Sequence, residues 1–180
     1  TKAIRDKSID ELKLVLSENT EKIDDFEISM PKFRLHGQNG RFIKYLLARI
    51  TSFIEVQCKM KNNFVTYMTN PDCKPYEIEH IWSDHFEWHN DEFTLISDFS
   101  DVRNSIGGLI LLPNGINQSL NDMQTSNKLP HYIKQNILAQ SLCSLTYTNN
   151  PAFTRFIREH KLSFKSYQDV KKNDIAERCD

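Results

Sequence analysis

Tyr76-Glu77-Ile78-Glu79-His80-Ile81 alternates in the manner of a short β-strand, and Pro75 fixes the backbone at its entry. Further on, Leu109-Ile110-Leu111-Leu112 is a second short apolar run, set off by Gly107-Gly108 before it and Pro113-Asn114-Gly115 after it. Two brief strands bounded by breakers predict one small strand pair near the middle of the chain. The segments on either side carry helical periods instead. The expected fold is therefore α+β and predominantly helical.

Working outward, Ser8-Ile9-Asp10-Glu11 has the spacing of a capping box, and Ile9, Leu12, Val15 and Leu16 follow at helical intervals. Residues 24–40 lack a clean period and read as a loop. The clearest helix covers residues 41–60, with Phe42, Leu46, Ile50, Phe53 and Ile54 as its expected core face. A moderately helical stretch spans residues 91–102. Pro130 suits the first turn of a helix whose face would be Ile133, Ile137, Leu138 and Leu142. Asn150-Pro151 starts another, burying Phe153, Phe156 and Ile157, and Ser166 with Asp169 resembles a final cap. The expected organisation is a helical N-terminal part (1–70), a central core (71–145) and C-terminal helices packed on it (146–180), together one compact domain.

The 180 residues, 39% hydrophobic and 26% charged, have the balance of a folded protein rather than a disordered one. No apolar run approaches the roughly 20 residues that a membrane helix needs, and no membrane association is expected. No secretion signal opens the chain. Cys58, Cys73, Cys143 and Cys179 form no C-x-x-C pair, so a reducing cytoplasm is the simplest location. A first residue of Thr1 and a helical pattern running to Asp180 suggest a piece of a longer protein. The net charge of −1 conceals an asymmetry. Residues 123–172 hold eight Lys or Arg against two acids, a local excess of +6, which leaves −7 for the rest. A basic half of this kind is compatible with phosphate contact and equally with a solvated helix surface.

Phosphodiester hydrolysis needs a group that deprotonates water and a cation that offsets charge on the phosphate. Histidine suits the first task, because its ordinary pKa lies near neutrality. A hard divalent metal suits the second, held by carboxylate or amide oxygens while keeping several waters. A strand carrying Glu79-His80, a return strand at Leu109 and a helix presenting Asn117 can bring such groups together. That is the ββα-metal arrangement, inserted here in a helical domain.

The string EIEHI, followed by RNSIGGLILLPNGINQSLND and then Lys128, resembles the C-terminal HNH (His-Me finger) nuclease domain of GmrSD-type restriction endonucleases. The resemblance covers about residues 76–142. It implies a DNA endonuclease dependent on Mg²⁺ or Mn²⁺, with DNA as partner and a ParB-like nucleotide-hydrolysing domain commonly fused on the N-terminal side. Carried over residue by residue, His80 takes the general-base position, Glu79 and Asn117 the metal-ligand positions, and Lys128 the trailing basic residue that contacts phosphate. Where the family has Gly-Asn-Leu, this chain has Gly107-Gly108-Leu109. The missing amide braces the loop between the strands, and Asn104, four residues earlier, is the candidate to replace it from the neighbouring turn; with His80 it makes up the candidate catalytic residues. Arg155, Arg158, Lys161 and Lys165 in the basic half are candidate contacts to the DNA backbone.

Two other readings compete. Loss of the family Asn could leave an inactive, nuclease-derived DNA-binding or regulatory domain. Alternatively His85 and His89, four residues apart, could share a helical face and hold a structural zinc with Cys73 nearby. Trp82, Phe86 and Trp88 interleave with them and favour packing instead.

Overall fold

The computed structural model describes residues 8, 10, 11, 14, 33–69 and 75–179. At the start, the expected capping box is present: Glu11 Oε2 accepts from Ser8 N and Oγ at 2.8 Å each, and Glu11 N donates back to Ser8 Oγ at 3.3 Å. Residues 10, 11 and 14 are helical. Ile9, Leu12, Val15, Leu16 and Cys73 lie outside the described residues. The regular elements that follow are α1 (Gly40–Gln57), α2 (Phe64–Met68), β1 (Tyr76–His80), α3 (Ile96–Arg103), β2 (Leu109–Pro113), α4 (Asn114–Leu120), α5 (Thr125–Tyr132), α6 (Ile137–Gln140), α7 (Ser144–Asn149), α8 (Pro151–His160) and α9 (Lys172–Glu177). The result is an α+β architecture, and no helix among the described residues is long and apolar enough to cross a membrane.

β1 and β2 pair antiparallel in the register Tyr76↔Pro113, Ile78↔Leu111 and His80↔Leu109. Leu109, Ile110, Leu111 and Leu112 are all buried, so β2 is a core strand covered on both faces, whereas β1 is half-buried throughout except at the buried Glu79. α4 follows β2 with no intervening loop, because Pro113 ends the ladder and sets the φ from which the helix starts. That start lies at Asn114, one turn before the position expected from Asn117 alone. Behind the sheet, Asn136 ties two elements together. Its Nδ2 donates to Leu111 O at 2.6 Å while its Oδ1 caps α6 at Ala139 N.

Three sequence expectations are corrected. The buried stripe of α1 is Ile43, Leu47, Thr51 and Ile54; of the expected face Ile54 is buried and Leu46 and Ile50 partly so, but Phe42 and Phe53 are 48% and 56% exposed. Those two rings lie at the rim, edge-on to Phe33 and Phe156. Thr51 tolerates burial because its hydroxyl donates to Leu47 O at 2.7 Å. Pro130 sits inside α5 rather than in a first turn, and it removes an amide donor just before the helix ends at Tyr132. Ser166 does not cap the last helix. Asp174 does, accepting from Lys171 N at 2.9 Å.

Trp82 anchors the core that follows β1. Its indole stacks on Phe99 with centroids 5.8 Å apart, and its Nε1 donates to Val170 O at 2.8 Å. The chain then reaches β2 through a 3-10 turn at Ile106–Gly108. A Cβ on Gly107 would come 2.3 Å from Ile175 O and 2.9 Å from Cys179 Sγ, so α9 docks directly on bare backbone there. Gly107→Ala is therefore expected to destabilise the domain by about 2–3 kcal/mol in urea unfolding, the upper range for an overpacked site whose neighbour is main chain. A loss below about 0.5 kcal/mol, the range of neutral surface changes, would mean that α9 does not press on this turn.

Candidate active site

His80 ends β1, and Asn104 caps the C-terminal end of α3. His80 Nε2 lies 2.9 Å from Asn104 Oδ1. An amide oxygen only accepts, so this contact requires the proton on Nε2 and leaves the Nδ1 lone pair as the basic atom. Burial pushes the His80 pKa down to about 4, and the Arg103 guanidinium and Lys128 ammonium add to the shift while Asn104 opposes it. The ring is thus neutral at physiological pH, the form in which a general base must stand.

Alternation along β1 sends Glu79 and His80 to opposite faces of the strand. Glu79 runs inward, where its Oε1 accepts from Lys128 Nζ at 2.7 Å and from Tyr132 OH at 3.2 Å. Glu79 is 4% exposed and Lys128 only 1%. Lys128 also donates to His80 O at 2.9 Å, fixing the backbone of the residue it neighbours. Burial pushes the carboxyl up and the ammonium down, and each partner resists the other's shift. Lys128 is therefore an interior ion-pair partner, and its charge can reach a substrate only through the cavity at the end of β1.

That cavity, of about 100 Å³, is lined by Glu79, His80, Arg103, Asn117, Asn121 and Lys128 among others. Asn117, on α4, donates Nδ2 to Glu77 Oε2 and Ile78 O at 3.3 Å each, which leaves its amide oxygen as the remaining ligating atom. Glu77 accepts from Asn114 as well, at 2.7 Å, and so orients the first turn of α4. The structure thus brings His80, Asn104, Glu79, Asn117 and Lys128 to one end of the strand pair. A larger cavity of about 270 Å³ lies elsewhere, walled by Leu47, Ile106, Leu138 and Phe164, and contains none of these groups.

Arg155, Arg158, Lys161 and Lys165 line no part of the His80 cavity. Arg155 and Arg158 stand on the exposed face of α8 opposite the buried Phe153 and Phe156, and Lys161 follows, also exposed. Lys165 is held by Glu177 at 2.6 Å and Asp174 at 2.9 Å. The zinc reading loses its premise, since residues 86–89 form a 3-10 turn rather than an α-helical face. His85 stacks on Trp88 and contacts Glu87, while His89 packs against Trp82 and Phe99. Among the described residues no group of three or more His, Cys, Asp or Glu could hold a metal ion.

Sequence reasoning passed over Arg103, Glu77 and Tyr132. Arg103 stood within the string already singled out, next to Asn104. Glu77 was signalled only by the strand period that puts it on the same face as Glu79. Tyr132 carried no signal, because its approach to Glu79 depends on how α5 docks.

The depressed pKa of His80 has a thermodynamic consequence. Between pH 6.5, its ordinary value, and about 4, the unfolded chain binds a proton that the folded protein refuses. Stability from this source is complete above pH 6.5 and declines as pH falls toward 4. By ring-proton NMR, His80 should show no titration between pH 5.5 and 8, and its substitution by Gln should flatten the acid side of the melting profile. A midpoint near 6.5 would contradict the buried, neutral assignment.

Comparison with known proteins identifies a family. The family model for the C-terminal domain of GmrSD restriction endonucleases matches residues 20–178. No curated protein and no solved structure is matched. The matched span takes in all of β1, β2 and the helices around them, well over half of the chain, and the chain belongs to the family of GmrSD restriction endonuclease C-terminal domains.

Proposed function

We propose that this domain is the DNA-cleaving module of a restriction endonuclease, with the β1–β2 pair and α4 acting as a ββα-metal unit and His80 as general base. The observation that carries the reading is the 2.9 Å contact between His80 Nε2 and Asn104 Oδ1, which leaves a neutral imidazole with its Nδ1 lone pair available. His80 Nδ1 takes the proton of the attacking water, and Asn104 holds the tautomer and steadies the imidazolium that results. Asn104 thereby supplies a side-chain amide beside the turn where the family pattern has its Asn at the position of Gly108. A Cβ at Gly108 would come 2.6 Å from Arg103 O, so an Asn there would drive α3 away and remove the substitute brace.

The donor set fits a hard divalent cation held by few protein ligands. Asn117 offers its amide oxygen, and Glu79 offers the oxygen that Lys128 and Tyr132 leave over. Such a site completes its shell with water and substrate phosphate, as Mg²⁺ sites commonly do. When bound, Mg²⁺ or Mn²⁺ would supply charge neutralisation at the phosphate. The exposed Arg155, Arg158 and Lys161 of the α8 region supply a further cationic surface for the DNA backbone, whereas the charge of Lys165 is offset by its two acids. A ParB-like domain on the N-terminal side would supply nucleotide-dependent control, and the cytoplasm is where such a system meets incoming DNA.

The test is plasmid nicking with Mg²⁺ or Mn²⁺ and with chelator. Wild-type protein should nick in a metal-dependent manner, and His80→Ala should lose about 10²- to 10⁴-fold in rate, the usual cost of removing a general base, with an unchanged circular dichroism spectrum. Equal rates in the two proteins would transfer the base role elsewhere. DNA binding without nicking by the wild type under either metal would favour the inactive, regulatory reading.

A further inference from the structure

The cavity beside His80 holds one more cation than it has buried acids to balance. Lys128 is matched by Glu79 at 2.7 Å with both groups interior. Arg103 has no such partner. The acid it pairs with is Asp84, Nη1 to Oδ1 at 3.9 Å, and that carboxylate is 82% exposed and therefore screened by water. The Arg103 side chain itself is only 16% exposed. A largely desolvated guanidinium without a close counter-ion is costly to maintain unless a ligand supplies the anion. Its orientation is fixed all the same, because Nε donates to Trp82 O at 3.1 Å. That anchor frees the terminal nitrogens, whose planar fork matches two oxygens of a phosphate.

We propose that Arg103 grips the phosphate that is cut, a contact that neither the base nor the metal ligands provide. Arg103 is the last residue of α3 and Asn104 its cap, so a single helix end delivers the brace for His80 and the cation for the substrate. Arg103 lines the cavity, and Asn104 touches His80 in its wall, because α3 lies against Gly108. The role rests on the nuclease reading above: Arg103 holds the phosphate in line with the water that His80 activates.

The experiment compares wild type, Arg103→Gln, Arg103→Lys and His80→Gln in duplex-DNA binding across a salt series, in competition by thymidine bisphosphate and in plasmid nicking. Arg103→Gln should flatten the slope of log affinity against log salt by about one unit, the contribution of one phosphate contact. It should also weaken thymidine bisphosphate competition at least tenfold and slow nicking by about 10²- to 10³-fold, as expected for a lost transition-state donor. Arg103→Lys should recover part of each, and His80→Gln should lose nicking while keeping the wild-type slope. In the unaltered protein, the Arg103 Nε–Hε resonance should move on addition of thymidine bisphosphate, a readout that survives any folding defect in the variants. A stationary resonance, or a wild-type slope in folded Arg103→Gln, would overturn the proposal and leave Arg103 as a brace for Trp82 O. Phosphate contact at Arg103 in a protein that never nicks DNA would instead sustain the contact and reject the nuclease reading.

Discussion

Gly107 and Gly108 stand where two helices press on one stretch of backbone from different sides. Ile175 O of α9 would meet a Cβ on the first, and Arg103 O at the end of α3 would meet a Cβ on the second. Arg178 Nε adds a 2.8 Å bond to Gly107 O, and Ile81 N donates to Gly108 O at 2.9 Å. The turn is thus fixed to α9, to α3 and to the end of β1 together. Because α3 comes so close, its last residue Arg103 and its cap Asn104 arrive beside His80. A side chain at either glycine would open that contact, so the geometry of the site and the packing of the C-terminal helix share one constraint.

Departure from the family pattern acquires a physical meaning in this light. An amide on the turn itself is one way to brace this region, and an amide on the helix packed against the turn is another. The second way requires a residue with no Cβ at the contact, which is what Gly108 is. In the proposed reading the exchange is coupled: glycine admits α3, and α3 supplies Asn104. Around this pair the electrostatics are those of a cation-rich interior, with Lys128 balanced by Glu79 and Arg103 balanced only weakly. Such surroundings keep His80 neutral and leave room for an anion.

What could be seen in the chain beforehand followed local rules. The strand pair was legible because alternation and the breakers Pro75, Gly107-Gly108 and Pro113 act over a few residues. So were the Ser8–Glu11 box and the Asn150 cap, whose side chain accepts from Phe153 N at 3.0 Å. The face of α1 was not legible, since two apolar stripes compete and small residues such as Ala48 and Thr51 won the interior. Lys128 carried a charge that suggested solvent, and only the docking of α5 on β1 shows it buried against Glu79. Arg103 escaped for the same kind of reason: its importance lies in what it lacks, a close acid, and absence of a partner is a tertiary fact.

The central claim is that Asn104 positions a neutral His80 as the general base. Single-turnover cleavage of DNA by Asn104→Ala and Asn104→Asp tests it most directly. Asp keeps an acceptor for Nε2–H and should retain most of the rate, with its activity shifted to higher pH because a carboxylate stabilises the imidazolium. Ala removes the acceptor and should lose about 10²-fold, on the scale of a general-base contribution. A wild-type rate in folded Asn104→Ala would contradict the account.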